Sequence, residues 1–288
     1  MLAEAWAALE GSIPFVTMHA LYVNMCIVIF YIYYHNVSCQ MREGMGMKTA
    51  FISGASHGIG KAIAYKLASK GCHLALNCKN SPEVLLEICR ELGNRYGIMT
   101  LPLIGDIGDA AEVRQMFTKT REYLGTVDWL INNAGISYIG LLNEMSVSDW
   151  QTVMNTNLSS VFYCCRQVIT EMVQKKSGKI INISSVWGEV GASCEAAYSA
   201  AKGGVNALTK ALAKELAPSG IQVNAIACGC IDTRMNADFS QQERASLENE
   251  IPAGRYGTAD EVAQLAWQLL SGNDYLTGQI IRLDGGWI

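Results

Sequence analysis

The segment MKTAFISGASHGIG, residues 47–60, decides the fold. It opens with a short apolar run at residues 49–52 and continues into a turn with glycine at positions 54, 58 and 60. Glycine lets the backbone turn tightly and approach a ligand closely, and the N-terminus of a helix attracts anions. Because residues 61–67 then have helical composition, the segment predicts a nucleotide-binding strand, turn and helix. This context supports the prediction even though the spacing differs from the commoner Gly-x-Gly-x-x-Gly.

The rest of the chain repeats this alternation of strand and helix. Short apolar runs separated by helical lengths lie at residues 49–52, 73–77, 99–103, 129–132, 179–183, 222–227 and 279–283. Such a pattern predicts a parallel sheet with helices on both faces, joined by right-handed crossovers. The chain has 288 residues, half of them hydrophobic, which is enough to bury one large core. We predict an α/β fold with a doubly wound, parallel seven-stranded sheet (Rossmann fold) in a single domain over residues 47–288.

Charge and cysteine usage exclude several classes of protein. The net charge is −4 and no lysine or arginine cluster forms a basic stripe, so we expect no nucleic-acid partner. The ten cysteines are scattered through apolar segments, which is typical of reduced thiols in a cytoplasmic protein. Cys228 and Cys230 form a close pair, but no second pair completes a four-ligand set, so we predict no metal site.

An apolar N-terminal extension over residues 1–46 precedes the domain, and residues 11–41 contain no charged side chain. A secretory signal is disfavoured because Glu4 and Glu10, rather than basic residues, precede the apolar run. Three interpretations stay open: a mis-called start, with translation beginning at Met47; a membrane segment at residues 13–34; or an interaction arm. A membrane partner follows only if residues 13–34 are real and inserted, and the domain would then stay in the cytoplasm.

Three side chains in the second half of the chain indicate the chemistry. Tyr198 and Lys202 stand four residues apart, so on a helix they share one face, where the lysine ammonium can stabilise a tyrosinate. Ser185 follows the apolar run 179–183 and therefore lies at the carboxyl end of a strand, where ligands bind in open α/β sheets. Together they predict hydride transfer to a ketone, with the tyrosine as the acid.

The end of the second strand is expected to select the nucleotide. An NAD site usually presents an acid there to the ribose hydroxyls, and residues 76–80 contain none. Lys79, with Asn77 and His57, is instead suited to a 2′-phosphate, so NADP(H) is favoured and NAD is the alternative.

Two further turns follow the third and fourth strands. Asp106 and Ile107 are expected beside the adenine. The turn at residues 132–135, Asn-Asn-Ala-Gly, fits either bracing of the sheet or binding of the cofactor.

With these motifs, residues 48–288 resemble the short-chain dehydrogenases/reductases. The resemblance implies that Tyr198 is the general acid, that Ser185 binds the substrate carbonyl, and that Lys202 holds the nicotinamide ribose and lowers the tyrosine pKa. Asn157, in the segment MNTNL, would join a water-mediated proton relay. The implied cofactor site comprises Gly54, Ser56, His57, Gly58, Ile59, Gly60, Asn77, Lys79, Asp106, Ile107, Asn133, Ala134, Gly135, Tyr198, Lys202, Gly229, Ile231 and Thr233.

One departure from the family pattern is Cys228, which stands where a proline usually precedes the glycine after the sixth strand. Loss of proline frees φ and restores a backbone N–H. Residues 234–250 resemble the family's mobile substrate lid.

The substrate is indicated by two finer resemblances. Residues 251–257, 275–279 and 284–286 resemble 3-oxoacyl-acyl-carrier-protein reductases, whereas residues 184–195 and 213–218 resemble elongation factor P 5-aminopentanone reductases. We favour the second, because an acid near the serine suits a terminal ammonium. A non-catalytic nucleotide-binding regulator is the further alternative, and the family also implies a homotetramer. The expected substrate-binding residues are Ser185, Trp187, Glu189 and Glu195.

Overall fold

A computed structural model of the chain describes residues 47–236 and 239–288. The N-terminal extension over residues 1–46 lies outside the described residues, so the structure tests none of its three interpretations. Residues 47–288 form one compact unit. Among the described residues no helix is both long and apolar enough to cross a membrane.

A single sheet organises the domain, and every strand pairing in it is parallel. The strand order is β3-β2-β1-β4-β5-β6-β7, so the winding direction reverses between β1 and β4. This confirms the predicted doubly wound, seven-stranded fold. The strands are β1 (Thr49–Ile52), β2 (His73–Cys78), β3 (Thr100–Ile104), β4 (Trp129–Asn132), β5 (Gly178–Ser185), β6 (Ile221–Cys228) and β7 (Ile280–Leu283).

Helices cover both faces of this sheet. A π-helical turn over Asn155–Ser159 joins the fourth helix to the fifth. Two 3₁₀ turns lie at Ala217–Ser219 and Arg234–Asn236. The α-helices within the described residues are α1 (Gly58–Ala68), α2 (Pro82–Tyr96), α3 (Ala110–Leu124), α4 (Val147–Met154), α5 (Ser160–Lys175), α6 (Trp187–Val190), α7 (Ala196–Leu216), α8 (Gln241–Glu250) and α9 (Ala259–Ser271).

The side chains of β1 show how the sheet separates two hydrophobic layers. Ala50 and Ile52 pack into one buried cluster, and Phe51, between them, packs into the other. Phe51 stacks on Phe117 of α3 with ring centroids 4.2 Å apart. Because successive strand residues point to opposite faces, a strand buried on both sides reads as a continuous apolar run.

Local capping fixes where the helices begin. The Asp109 carboxylate accepts hydrogen bonds from the amides of Ala111 and Glu112 at the start of α3. Thr258 and Glu261 form a capping box at the start of α9. Such caps satisfy amides that the helix itself leaves without partners.

Candidate active site

A cavity of about 780 Å³ opens at the carboxyl ends of the strands, beside the reversal point between β1 and β4. All the expected cofactor residues except Gly60 line it, and so do Ser184 and Ser185. Ligands in doubly wound sheets bind in this crevice. Other residues that line the cavity were not identified from the sequence, and they include Ile136, Thr152, Thr156, Arg234, Met235 and Asn236.

The glycine turn is built so that no side chain can replace its glycines. Gly54 and Gly58 have positive φ values of 65° and 52°. A Cβ on Gly60 would lie 2.3 Å from the Gly54 carbonyl oxygen, so Gly60 acts by packing α1 closely on the turn. The Asn133 Nδ2 donates to the carbonyl oxygens of Ser53 (2.9 Å) and Gly54 (3.0 Å), which identifies a bracing role for this asparagine.

These features fit a dinucleotide pyrophosphate. The helix α1 begins at Gly58 and carries no acid in its first turn, so nothing there opposes an anion. His57 precedes the helix, and its Nδ1 lies 3.0 Å from the Ser56 Oγ.

Asn77 supports the turn and does not offer a free amide to a phosphate. Its Oδ1 accepts a hydrogen bond from the Gly54 amide at 3.4 Å, and its Nδ2 donates to the carbonyl oxygens of Leu103 and Gly105. The side chain is buried. The expectation that Asn77 meets a 2′-phosphate therefore needs correction, because its polar atoms are already used between β2 and β3.

Lys79 and Asp106 form an ion pair at the same end of the cavity. The Lys79 Nζ donates to the Asp106 Oδ2 at 2.6 Å, and the Gly108 amide donates to Oδ1 at 2.8 Å. Partial burial raises the pKa of Asp106, but the hydrogen bonds from Lys79 and Gly108 bring it below its ordinary value. The two residues were expected to contact different parts of the cofactor, and the structure instead pairs them.

Ser185 is the last residue of β5, and it lies beside Tyr198 of α7. The Trp187 amide donates to the Ser185 Oγ at 3.2 Å, so the serine proton is left to donate elsewhere. Burial, then the neighbouring Cys228 thiol and the Glu195 carboxylate, raise the pKa of Tyr198, and its hydrogen bond with Ser185 lowers it by less.

Lys202 is buried one turn further along α7. Its Nζ donates to the Ile183 carbonyl oxygen at 2.8 Å and lies 5.5 Å from the centre of the Tyr198 ring. Burial lowers the pKa of Lys202 to about 8, and the Cys228 thiol raises it by a smaller amount. The pKa of Tyr198 is thus raised and not lowered as expected, because burial of the phenol has the largest effect on it.

Asn157 lies in the π-helical turn and clamps the loop that follows β4. Its Oδ1 accepts from the Ile136 amide, and its Nδ2 donates to the Ile136 carbonyl oxygen, both at 2.8 Å. A Cβ on Gly135 would lie 3.0 Å from the Asn157 Oδ1 and 3.6 Å from the Lys202 Nζ. The amide group therefore holds the cavity wall beside Lys202.

Three of the expected substrate residues lie outside the cavity lining. Glu189 does not line the cavity, and it pairs with Arg282, whose Nη2 lies 2.8 Å from the Glu189 Oε2. The Trp187 ring packs edge-on against Trp287. Burial raises the pKa of Glu195, which is half-buried near Tyr198, while the Ser137 hydroxyl lowers it by less.

Cys228 ends β6 and pairs in register with Ser185 of β5. It lines the cavity, and burial raises the pKa of its thiol to about 12. No three His, Cys, Asp or Glu side chains in the described part of the chain are grouped to hold a metal ion.

The fold and this cavity define a class of protein, and the comparisons agree. The family model described as short chain dehydrogenase matches residues 48–244. The chain belongs to the short-chain dehydrogenase/reductase family. It is therefore an oxidoreductase that acts on CH–OH and C=O groups, in a family that binds NAD(P).

The match to two relatives spans nearly the whole length of each relative. The chain is 38% identical over 241 residues to the uncharacterized oxidoreductase YmfI of Bacillus subtilis, covering 83% of this chain and 98% of the relative. It is 38% identical over 240 residues to the 3-oxoacyl-[acyl-carrier-protein] reductase FabG of Staphylococcus aureus, covering 83% and 97%.

Solved structures show the same fold. A crystal structure of a putative gluconate dehydrogenase from Agrobacterium tumefaciens matches with a TM-score of 0.80 at 35% identity, covering 84% of this chain and 96% of the other. The structure of YwfH, an NADPH dependent reductase involved in bacilysin biosynthesis, matches with a TM-score of 0.79 at 28% identity, covering 84% and 99%.

Proposed function

We propose that this protein is an NADPH-dependent ketone reductase in which Tyr198 is the general acid. The observation that carries the proposal is the placing of Ser185, Tyr198 and Lys202 together on one cavity wall, at the carboxyl end of the sheet. A lone member of this set has many structural uses. Together at the cavity, with Ser185 and Lys202 buried and Tyr198 partly buried, the three suit the roles of a proton donor and its supports.

The chain's own residues supply orientation and a proton. Ser185 donates its hydroxyl proton in a hydrogen bond to the ketone oxygen, because its own oxygen already accepts from the Trp187 amide. Tyr198 transfers its phenolic proton to that oxygen as negative charge develops there. The Lys202 ammonium stabilises the tyrosinate, and Asn157 supports the proton relay that restores the phenol. The glycine turn and Lys202 would hold NADPH, which would supply the hydride for the carbonyl carbon, so that the product would be an alcohol.

Preference for NADPH over NADH rests on Lys79. The end of β2 carries no acid, and the Lys79 side chain is exposed at the cavity edge. An ammonium there favours a 2′-phosphate. The similarity to YwfH, an NADPH dependent reductase, supports this choice.

The favoured substrate is the 5-aminopentanone group on a modified lysine of elongation factor P. The resemblance of residues 184–195 and 213–218 to those reductases supports it. Glu195 is the remaining acid that suits the substrate ammonium: it is half-buried at the start of α7, three residues before Tyr198, and it lies outside the cavity lining. Glu189, which was expected to share this task, is paired with Arg282.

A 3-oxoacyl thioester is the second candidate substrate. The similarity to the 3-oxoacyl-[acyl-carrier-protein] reductase FabG of Staphylococcus aureus favours it. A thioester chain gains nothing from Glu195, so the two candidates differ in whether that carboxylate contributes to binding.

The test is reduction by the purified protein with NADPH. One sample contains elongation factor P that carries the aminopentanone, a second contains unmodified elongation factor P, and a third contains an acetoacetyl thioester. Turnover of the modified factor alone supports the favoured substrate, and turnover of the thioester alone supports the second. Binding of NADPH with no turnover of any ketone would leave the non-catalytic nucleotide-binding regulator.

The proposal includes a cytoplasmic homotetramer. Apolar side chains are exposed near α4 and on α5, where a second copy would cover them. Light scattering of the purified protein tests the assembly, with a monomer mass as the contrary result. These exposed side chains are Ile139, Leu141, Leu142, Trp150 and Phe162.

A further inference from the structure

We infer that the C-terminal residues 282–288, here called the C-terminal brace, hold α6 in place and thereby position the Ser185 hydroxyl. This inference rests on the proposed function, in which Ser185 binds the ketone oxygen. It assigns a positioning role to Arg282 and Trp287, which lie outside the cavity lining.

The first contact of the brace is an ion pair. The Arg282 Nε and Nη2 both donate to the Glu189 Oε2, at 3.0 and 2.8 Å. The third nitrogen, Nη1, donates to the Ile288 carbonyl oxygen at 2.8 Å. One planar guanidinium therefore ties α6 and the last residue of the chain to β7, a geometry that a lysine cannot reproduce.

The second contact is aromatic. The rings of Trp187 and Trp287 meet edge to face, with centroids 4.9 Å apart at 62°. The Asp284 carboxylate shapes the turn that delivers Trp287, because it accepts the amides of Gly286 (3.0 Å) and Ile288 (3.1 Å). An edge-to-face pair has a preferred geometry, so it restrains orientation as well as burying area.

The held helix lies directly against the catalytic groups. Its first residue, Trp187, donates its amide proton to the Ser185 Oγ. A Cβ on Gly188 would lie 2.7 Å from the Lys202 carbonyl carbon and 2.9 Å from the Gly203 amide nitrogen, so α6 packs on α7 without intervening space. A shift of α6 therefore changes how Ser185 is oriented relative to Lys202.

Loss of the brace contacts should have a specific kinetic effect. We expect Arg282→Gln and Trp287→Ala to lower kcat for an acetoacetyl thioester about tenfold, because small misplacement of a positioned group slows the chemical step. The backbone of the brace meets Gly229 of the cavity lining, but the side chains of Arg282 and Trp287 contact Glu189, Ile288 and Trp187 instead. The KM for NADPH should therefore stay unchanged in these side-chain variants. The melting temperature changes little for Arg282→Gln, because exposed ion pairs contribute little to stability.

Arg121→Gln is the matched control. Arg121 also pairs with a glutamate, Glu171, and donates to a backbone carbonyl oxygen, that of Gln167, but it joins α3 to α5. Trp287→Phe should recover much of the lost kcat. The charge-exchanged double variant Arg282→Glu/Glu189→Arg should recover only the part that the ion pair contributes, because a glutamate at position 282 cannot donate to the Ile288 carbonyl oxygen. Hydrogen exchange of a peptide spanning residues 184–190 should accelerate in Arg282→Gln and not in Arg121→Gln.

Several results would overturn the inference. Wild-type kcat and exchange in Arg282→Gln and Trp287→Ala would do so, as would an equal loss in Arg121→Gln. A loss of kcat that accompanies a change in oligomeric mass would show that the residues act between copies of the chain and not on α6. If the wild-type protein reduces no ketone, the proposed function fails, and the exchange measurement still decides whether the brace holds α6.

Discussion

The two ends of the cavity are built in different ways. At the catalytic end, Asn157, Ser185 and Lys202 are 1%, 6% and 4% exposed, and each is tied to a backbone group. At the coenzyme-selecting end, the side chains of Lys79 and Asp106 are 58% and 31% exposed and are tied chiefly to each other.

The difference matches the two tasks of the cavity, which are proton transfer at the catalytic end and choice of the coenzyme at the other end. Buried groups with backbone partners keep one geometry, which is what a proton donor and its supports need. An exposed ion pair is weak and can exchange its partner at little cost. Lys79 can therefore leave Asp106 for a phosphate, whereas displacement of Lys202 would leave a buried charge without a partner.

The largest effect is expected from removing the proton donor. Tyr198→Phe should lower kcat by roughly 10³-fold, because a positioned general acid typically contributes 10²–10⁴-fold. The affinity for NADPH, followed by fluorescence titration, should stay close to that of the wild-type protein. Full activity in this variant would mean that the catalytic end has been assigned to the wrong residue.

The next largest loss of activity is expected at Asn157, which clamps the loop after β4. Asn157→Ala leaves the Ile136 amide and carbonyl without their partner. An unsatisfied buried polar group costs about 1–3 kcal/mol, and these partly buried groups should cost less. We expect a lower melting temperature together with a roughly 10²-fold loss of kcat. Calorimetry and steady-state kinetics check this. A variant that melts early and yet turns over normally would separate Asn157 from the catalytic end.

A smaller effect is expected at the coenzyme-selecting end. Lys79→Asp should reverse the preference from NADPH to NADH by roughly tenfold to 10²-fold in kcat/KM, because the new carboxylate repels a 2′-phosphate and can bind ribose hydroxyls. The control is Lys66→Asp, a charge reversal in the last turn of α1, away from the helix N-terminus and outside the cavity lining. An unchanged preference in Lys79→Asp would remove Lys79 from the coenzyme site.

The smallest effect is a shift of the pH profile. The negative charge of Glu195 raises the pKa of Tyr198, so Glu195→Gln should lower it. Reduction needs the protonated phenol, and the alkaline fall of kcat should therefore begin at a lower pH in the variant. Kinetics over a pH series measure this, with Glu215→Gln near the end of α7 as control. A shift to higher pH would contradict the position given to Glu195.

The apolar runs predicted all seven strands, since buried parallel strands need continuous apolar segments that local composition reveals. The positions of Ser185 and Lys202 followed from the same reasoning, because strand ends and helix periodicity are local properties. β5 and β6 extend beyond their apolar runs, to Ser185 and Cys228, where polar and thiol side chains continue the pairing.

Interactions across long distances in sequence were not predictable in this way. Arg282 is 93 residues from Glu189, and the composition near either residue gives no sign of the other. Lys79 and Asp106 were each placed at the cavity, but their pairing depends on the spacing between β2 and β3. Asn77 looked available for a phosphate, because sequence does not show that its amide is already used beneath the glycine turn.

The central claim is that the catalytic end directs hydride from NADPH to a ketone carbon. The direct test supplies NADPH deuterated at the transferable position of the nicotinamide ring, with an acetoacetyl thioester and with aminopentanone-modified elongation factor P, and locates the label by mass spectrometry and NMR. The account predicts one deuterium on the carbinol carbon of the product alcohol, with one NADPH oxidised for each alcohol formed. Alcohol without deuterium, or no oxidation of NADPH with any ketone, would contradict it.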